Sequence, residues 1–269
     1  MDDDLNYIMT EVRNRHDEIE RLTNITKLLV GKTSMRTTNY MLYLEAVCRR
    51  NYYSLFSLYH LADVQLNWFG SAALDISRQM IEDMISIEWM ELHNPERQSL
   101  KMKRYQAIEV FTNLEQSKRL GVDPATMLTA DQITKIEGDF KSAKKEFSDS
   151  TGRVFHNYNH QSVETMISNL KGRISPEVLS EQSLERITYW YIEGNKKNHF
   201  NADDILWYLE DEAVRDTQLA RSLERALFVG FNTFSQICLR YIDEMIKNGG
   251  GIPHIEDIRV EIVAIANEA

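Results

Sequence analysis

Proline and glycine are scarce in this chain, at 4 and 11 of 269 residues. Because these are the residues that most often end helices and turn chains, long stretches are left uninterrupted, and no alternating strand pattern extends far. Cysteine is scarcer still, with only Cys48 and Cys238. That excludes a disulfide-stapled fold and a paired Cys-x-x-Cys zinc site, and each cysteine sits in an apolar helical pattern that reads as core. A reducing compartment, the cytoplasm, is the expected location. No apolar run approaches the roughly 18 residues a membrane-spanning helix needs. The first stretch, MDDDLNYIMTEVRNRHDEIER, is acidic and amphipathic where a secretory signal is basic and then apolar. Excess positive charge is also missing: the formal net charge is −10, so any RNA binding has to come from a local patch.

What is present favours helix: 11 Met, with long stretches of Leu, Ile, Glu, Lys and Arg. The expected fold is an all-α multi-helix bundle with an N-terminal leader helix and a short C-terminal helix. Helices are expected at about 2–29, 38–68, 71–93, 96–119, 130–149, 161–171, 183–198, 202–210, 211–247 and 255–267. Stop chemistry supports several ends, at Gly31, at Asn94 with Pro95, at Gly121 with Pro124, and at Gly249, while Asp131 and Ser183 are expected as caps. The organisation read from this is a leader over 1–30, a bundle over 38–247 and a C-terminal helix over 252–269. The leader's apolar stripe, interrupted near Arg15 and His16, serves either to cover the bundle or to pair with its copy in a dimer.

The stretch RQMIEDMISIEWMELH, from Arg78 to His93, places Ile76, Met80, Met84 and Ile87 on one helical face and Asp75, Gln79, Asp83 and Ser86 opposite. Arg78 and Glu82 fall at the border between the faces. Spacing alone reads them as an intrahelical salt bridge worth about 0.3–0.5 kcal/mol.

Farther along come NYNHQSVETMISNL and then YIEGNKKNHFN, from Tyr191 to Asn201. An Arg-x-x-x-Glu helix, then a segment like Ser162 to Leu170, then Tyr with a polar residue four later and His eight later, resembles a bacterial family of uncharacterised all-helical proteins. The matching positions are Arg78, Glu82, Tyr191, Asn195 and His199, with Asn195 where the family usually has Ser and Asn198 where it has an apolar residue. That family is similar in helical layout to HEPN domains, many of which are metal-independent ribonucleases of toxin and phage-defence systems that act across a dimer interface. The resemblance implies RNA as substrate, a homodimer, and no cofactor. It implies His199 as the base for a ribose 2′-hydroxyl, Arg78 as the phosphate ligand, and Glu82 as the group orienting the guanidinium. Tyr191, Asn195, Lys196 and Lys197 would border the substrate. Read without the resemblance, GNKKNHFNADD is a helix end and an exposed turn, with Asn201 or Asp203 capping the next helix.

A second candidate set is Arg153, His156 and His160. RVFHNYNH meets the looser HEPN spacing of Arg, four to six residues, then His, although its Asn-rich interior reads as a loop. No Glu-x-x-His pair, His-Glu-x-x-His motif or phosphate-binding glycine loop occurs, so no metal site is expected. Basic clusters with adjacent aromatics, at Arg49 and Arg50, KMKRY, KSAKK, and Lys196 with Lys197, suit single-stranded nucleic acid as well as a solvated helix face. Three readings therefore stand: a HEPN-like ribonuclease or effector, a non-catalytic module gripping a protein partner (immunity or sensing), and a small-ligand bundle in which Arg78 pairs a carboxylate or phosphate.

Overall fold

The computed structural model describes residues 2–31, 38–64, 70–155, 157–171, 173, 181–198, 212–249 and 252–268. The expected helix at 202–210, the proposed caps Asn201 and Asp203, and both His156 and His199 lie outside them. Among the described residues there are nine α-helices, no strand beyond one isolated bridge, and a short 3-10 turn at Pro124–Thr126. The helices are α1 (Asp2–Gly31), α2 (Asn39–Val64), α3 (Gly70–Leu92), α4 (Pro95–Arg119), α5 (Ala130–Lys144), α6 (Val163–Leu170), α7 (Glu181–Asn198), α8 (Glu212–Lys247) and α9 (Ile255–Glu268). The all-α bundle is thus what the chain forms, and none of the described helices is long and apolar enough to cross a membrane.

The chain divides into two compact units, Met1–Trp89 with Ile167–Ala269, and Met90–Met166. In the first, α8 is the central element, packed most extensively by α2 and α1, with α9 lying on α8 and α1. At 36 residues α8 runs about 54 Å, and from Leu219 onward most of its positions are buried. Gly230 explains the close approach of α2, since a Cβ there would lie 2.6 Å from Leu58 Cδ1 and 3.3 Å from Leu55 Cδ1. The leader α1 is therefore part of the core, with Ile19 and Leu22 fully buried. Its polar interruption is absorbed by aromatic rings: His16 stacks on Tyr59 with centroids 3.9 Å apart, and Arg15 lies 5.1 Å above Phe228. Leu28 is exposed, while Thr23 and Thr26 are buried with their hydroxyls returned to the carbonyls of Ile19 and Leu22.

In the second unit α4 packs on α5, with Phe111 stacked on Phe140 at 3.8 Å and Tyr105 edge-on to Phe147 at 5.2 Å. Asn94 caps α4 in the left-handed region at φ 63°, its side chain accepting from Arg97 N, and Pro95 takes the first helical position. Two expected caps are corrected. Thr129, not Asp131, caps α5, through a capping box with Gln132, because the two side-chain bonds of the box satisfy two backbone N–H groups at once. Ser183 lies inside α7, which begins at Glu181.

The helix expected to run to residue 149 ends at Lys144. Phe147 turns into the core, and the chain doubles back through a bridge between Ser148 and Val154. Asp149 Oδ1 holds that turn by accepting from the backbone N–H groups of Thr151 and Arg153, local bonds that compete with helix continuation.

Candidate functional site

Helix α3 presents Arg78 and Glu82 at the edge of its buried face, as its periodicity requires, with side chains 32% and 37% exposed. Their ion pair joins Arg78 Nε to Glu82 Oε1 at 3.5 Å. The same carboxylate oxygen accepts from the hydroxyl of Tyr191 on α7, also at 3.5 Å. Tyr191 is only 5% exposed, so its ring anchors the contact from inside the protein while its hydroxyl reaches the rim. Three of the residues singled out in the sequence thus meet, across 109 positions of chain. A guanidinium beside a carboxylate one turn away can act as an anion ligand, suited to the paired oxygens of a phosphate or carboxylate.

The remaining members of that set are placed less fully. Asn195, Lys196 and Lys197 lie in the last turns of α7, with side chains outside the described ones. His199 follows the end of α7 and lies outside the described residues.

The second candidate set lies in the other unit. Arg153 and His160 line one hollow of about 400 Å³, together with Asp149, Phe155 and Ser162. The segment is a loop leading into α6, as its composition indicates, and α6 is entered through Ser162, whose Oγ accepts from Thr165 N. His160 sits at φ 63° with its ring edge-on to Phe155 at 3.6 Å. Partial burial, and secondly the nearby charge of Lys101, hold its imidazole below the ordinary histidine value. Both causes favour the neutral ring, the form that can accept a proton. His156, the third member, lies outside the described residues.

Three of the basic clusters make structural contacts. Arg49 pairs with Glu45 at 2.8 Å. Arg50 forms a two-pronged pair with Asp83, its Nε donating to Oδ2 at 3.0 Å and its terminal nitrogen to Oδ1. In KMKRY, Tyr105 donates to Phe155 O at 2.7 Å and Arg104 lies 3.5 Å from Glu146. In KSAKK, Lys144 lies 5.8 Å over the ring of Phe140.

Asp83 was expected on the polar face opposite Met80 and Met84, but it is buried. From Met80 onward α3 is covered nearly all round, so a position that helical periodicity assigns to solvent meets α2 instead. Burial pushes the Asp83 carboxyl up, and the charge of Arg50 and the hydrogen bond from Asn51 pull it back down. Glu88 is a second acid of this kind. It is 2% exposed and accepts from Arg240 Nε at 2.7 Å, a terminal nitrogen of Arg240 at 2.6 Å and Gln236 Nε2 at 2.5 Å. Neither acid was recognisable as a buried partner, although two acids on so apolar a helix were the available signal. The cysteines, read as separate core residues, are neighbours with sulfurs 3.9 Å apart. Both are buried free thiols.

Among the described residues, no group of three His, Cys, Asp or Glu side chains could hold a metal ion. No protein-family profile, curated protein or solved structure matches the chain.

Proposed function

We propose that the Arg78, Glu82 and Tyr191 cluster is a phosphodiester-binding site and that the chain is a HEPN-like, metal-independent endoribonuclease acting as a homodimer. One observation carries this reading: the Tyr191 hydroxyl and the Arg78 guanidinium meet on a single oxygen of Glu82. Glu82 orients the guanidinium, Arg78 binds the scissile phosphate, and Tyr191 fixes α7 against α3. His199 comes into the reading through its spacing, eight residues after Tyr191. Its imidazole would take the proton of a ribose 2′-hydroxyl, whose oxygen then forms a bond to phosphorus as the bond to the 5′-oxygen breaks. The leaving oxygen gains a proton from water. The products are a 2′,3′-cyclic phosphate and a 5′-hydroxyl end, and DNA, which lacks the attacking hydroxyl, is not cut.

The test is cleavage of single-stranded RNA by the full chain in excess chelator. Wild type is expected to cut RNA but not DNA, and Arg78→Ala and His199→Ala are each expected to lose about 100-fold or more in rate. Failure of the wild type to cut, or equal cutting by wild type and His199→Ala, rejects the assignment. A second reading, favoured by the shared hollow of Arg153 and His160, places the chemistry there. It is supported if His160→Ala abolishes cleavage while His199→Ala does not.

A further inference from the structure

A different cavity, of about 480 Å³, lies among α1, α7 and α8. Four arginines line it, Arg15, Arg186, Arg221 and Arg225, against two acids, Glu11 and Glu224. The lining thus carries two more positive than negative charges in a chain whose formal net charge is −10. The arginines are graded in depth: Arg15 is 9% exposed at the floor, Arg225 half-buried, Arg186 and Arg221 exposed at the rim.

Aromatic faces lie against three of them. Arg225 lies 3.9 Å over Trp190, and Arg15 and Arg186 lie 5.1 and 5.9 Å from the centre of Phe228. Arg15 also pairs with Glu18 at 2.6 Å. Guanidinium groups stacked on rings keep their N–H edges directed sideways, the arrangement suited to planar, multi-point binding of an oxyanion. Arg221 and Arg225 are one turn apart on α8.

From this geometry we infer that the α1, α7 and α8 cavity binds a small ligand bearing a phosphate monoester or diphosphate, of about nucleotide size. The volume falls in the range of small-molecule sites, about 300–1,000 Å³. A phosphate monoester brings close to two negative charges at neutral pH and three peripheral oxygens, which suit a positively charged lining with several guanidinium forks. A carboxylate brings one charge and two oxygens. Burial pushes the Glu224 carboxyl up, Arg225 and Arg15 pull it down, Glu11 pushes it up and Arg186 pulls it down. Its negative charge is therefore held at a cost and opposes an incoming anion.

The experiment is isothermal titration of the full chain with adenosine 5′-monophosphate, inorganic diphosphate, adenosine and succinate. Adenosine 5′-monophosphate and diphosphate are expected to bind saturably with Kd below about 100 μM, and adenosine and succinate not to bind in that range. Arg186→Ala and Arg225→Ala are each expected to weaken binding about tenfold or more, and Arg225→Lys to recover only part of the loss. Glu224→Gln is expected to tighten it. Circular dichroism establishes that each variant is folded, and Arg186, at the rim, is the least demanding of the fold. The inference is overturned if neither phosphate compound binds, if adenosine or succinate binds as tightly, or if folded Arg186→Ala and Arg225→Ala bind like wild type. The titration needs no RNA cleavage, so its outcome is independent of the ribonuclease test.

Discussion

Among the described residues, the buried acids Asp83 and Glu88 are each held by hydrogen-bonded pairing. Glu88, with three donors from Gln236 and Arg240, shows the consequence most clearly. Removing one partner leaves a desolvated charge uncompensated, so Arg240→Ala is expected to destabilise the fold by about 3–5 kcal/mol in urea denaturation. The double replacement Glu88→Leu with Arg240→Met removes both charges and is expected to recover most of that loss, which a double-mutant cycle would read directly. Glu224 offers a test against pH. Its carboxyl is raised chiefly by burial, so the folded state binds the extra proton more tightly than the unfolded chain does. Its contribution to stability is then fully present below the ordinary glutamate value and lost as pH rises through the raised one. Glu224→Gln is therefore expected to melt higher than wild type at about pH 7, with the difference vanishing near about pH 4. Cys48 and Cys238 are buried, and burial together with Cys48 pushes the Cys238 thiol well up. Because the thiolate is the reactive form, labelling by a thiol-disulfide reagent is expected to follow global unfolding, with labelling rates rising in parallel with the unfolded fraction in urea.

Among the elements, α8 sets the arrangement of the larger unit. Its contact with α2 depends on Gly230, whose missing side chain makes room for Leu58 and Leu55. Gly230→Val places two methyl groups into that space and is expected to cost about 1–3 kcal/mol, measured as a drop in the urea midpoint at unchanged slope. Helix α3 shows how a polar pair can mark a useful edge: Arg78 and Glu82 sit where its buried face meets solvent, and α7 supplies Tyr191 to that edge. Helices such as α4, entered through Asn94, α5, through the Thr129 and Gln132 box, and α6, through Ser162, begin where polar side chains replace the missing backbone acceptors.

At the scale of the whole molecule, the leader is not an appendage. Ile19, Leu22 and Leu29 are buried, and α1 packs against α2, α8 and α9. A chain lacking residues 1–30 is expected to lose cooperative unfolding, seen as a broad thermal transition in circular dichroism in place of a sharp one. The unit formed by Met90–Met166 has buried side chains of its own, among them Tyr105, Ile108, Leu114 and Phe147.

The positions of the described helices, most of their ends and the all-α class were legible in the sequence, because periodicity, caps and the scarcity of Gly and Pro act over a few residues. The border position of Arg78 and Glu82 was legible for the same reason. Periodicity failed at Asp83 and left Glu88 unmarked, since a helix covered nearly all round has no solvent face for the pattern to report. The joining of Tyr191 to Glu82, of Cys48 to Cys238, and of four arginines around one cavity came only with the tertiary structure. Each of those meetings joins segments far apart in the chain, and where distant helices cross is settled by packing of their buried faces, which no local pattern encodes.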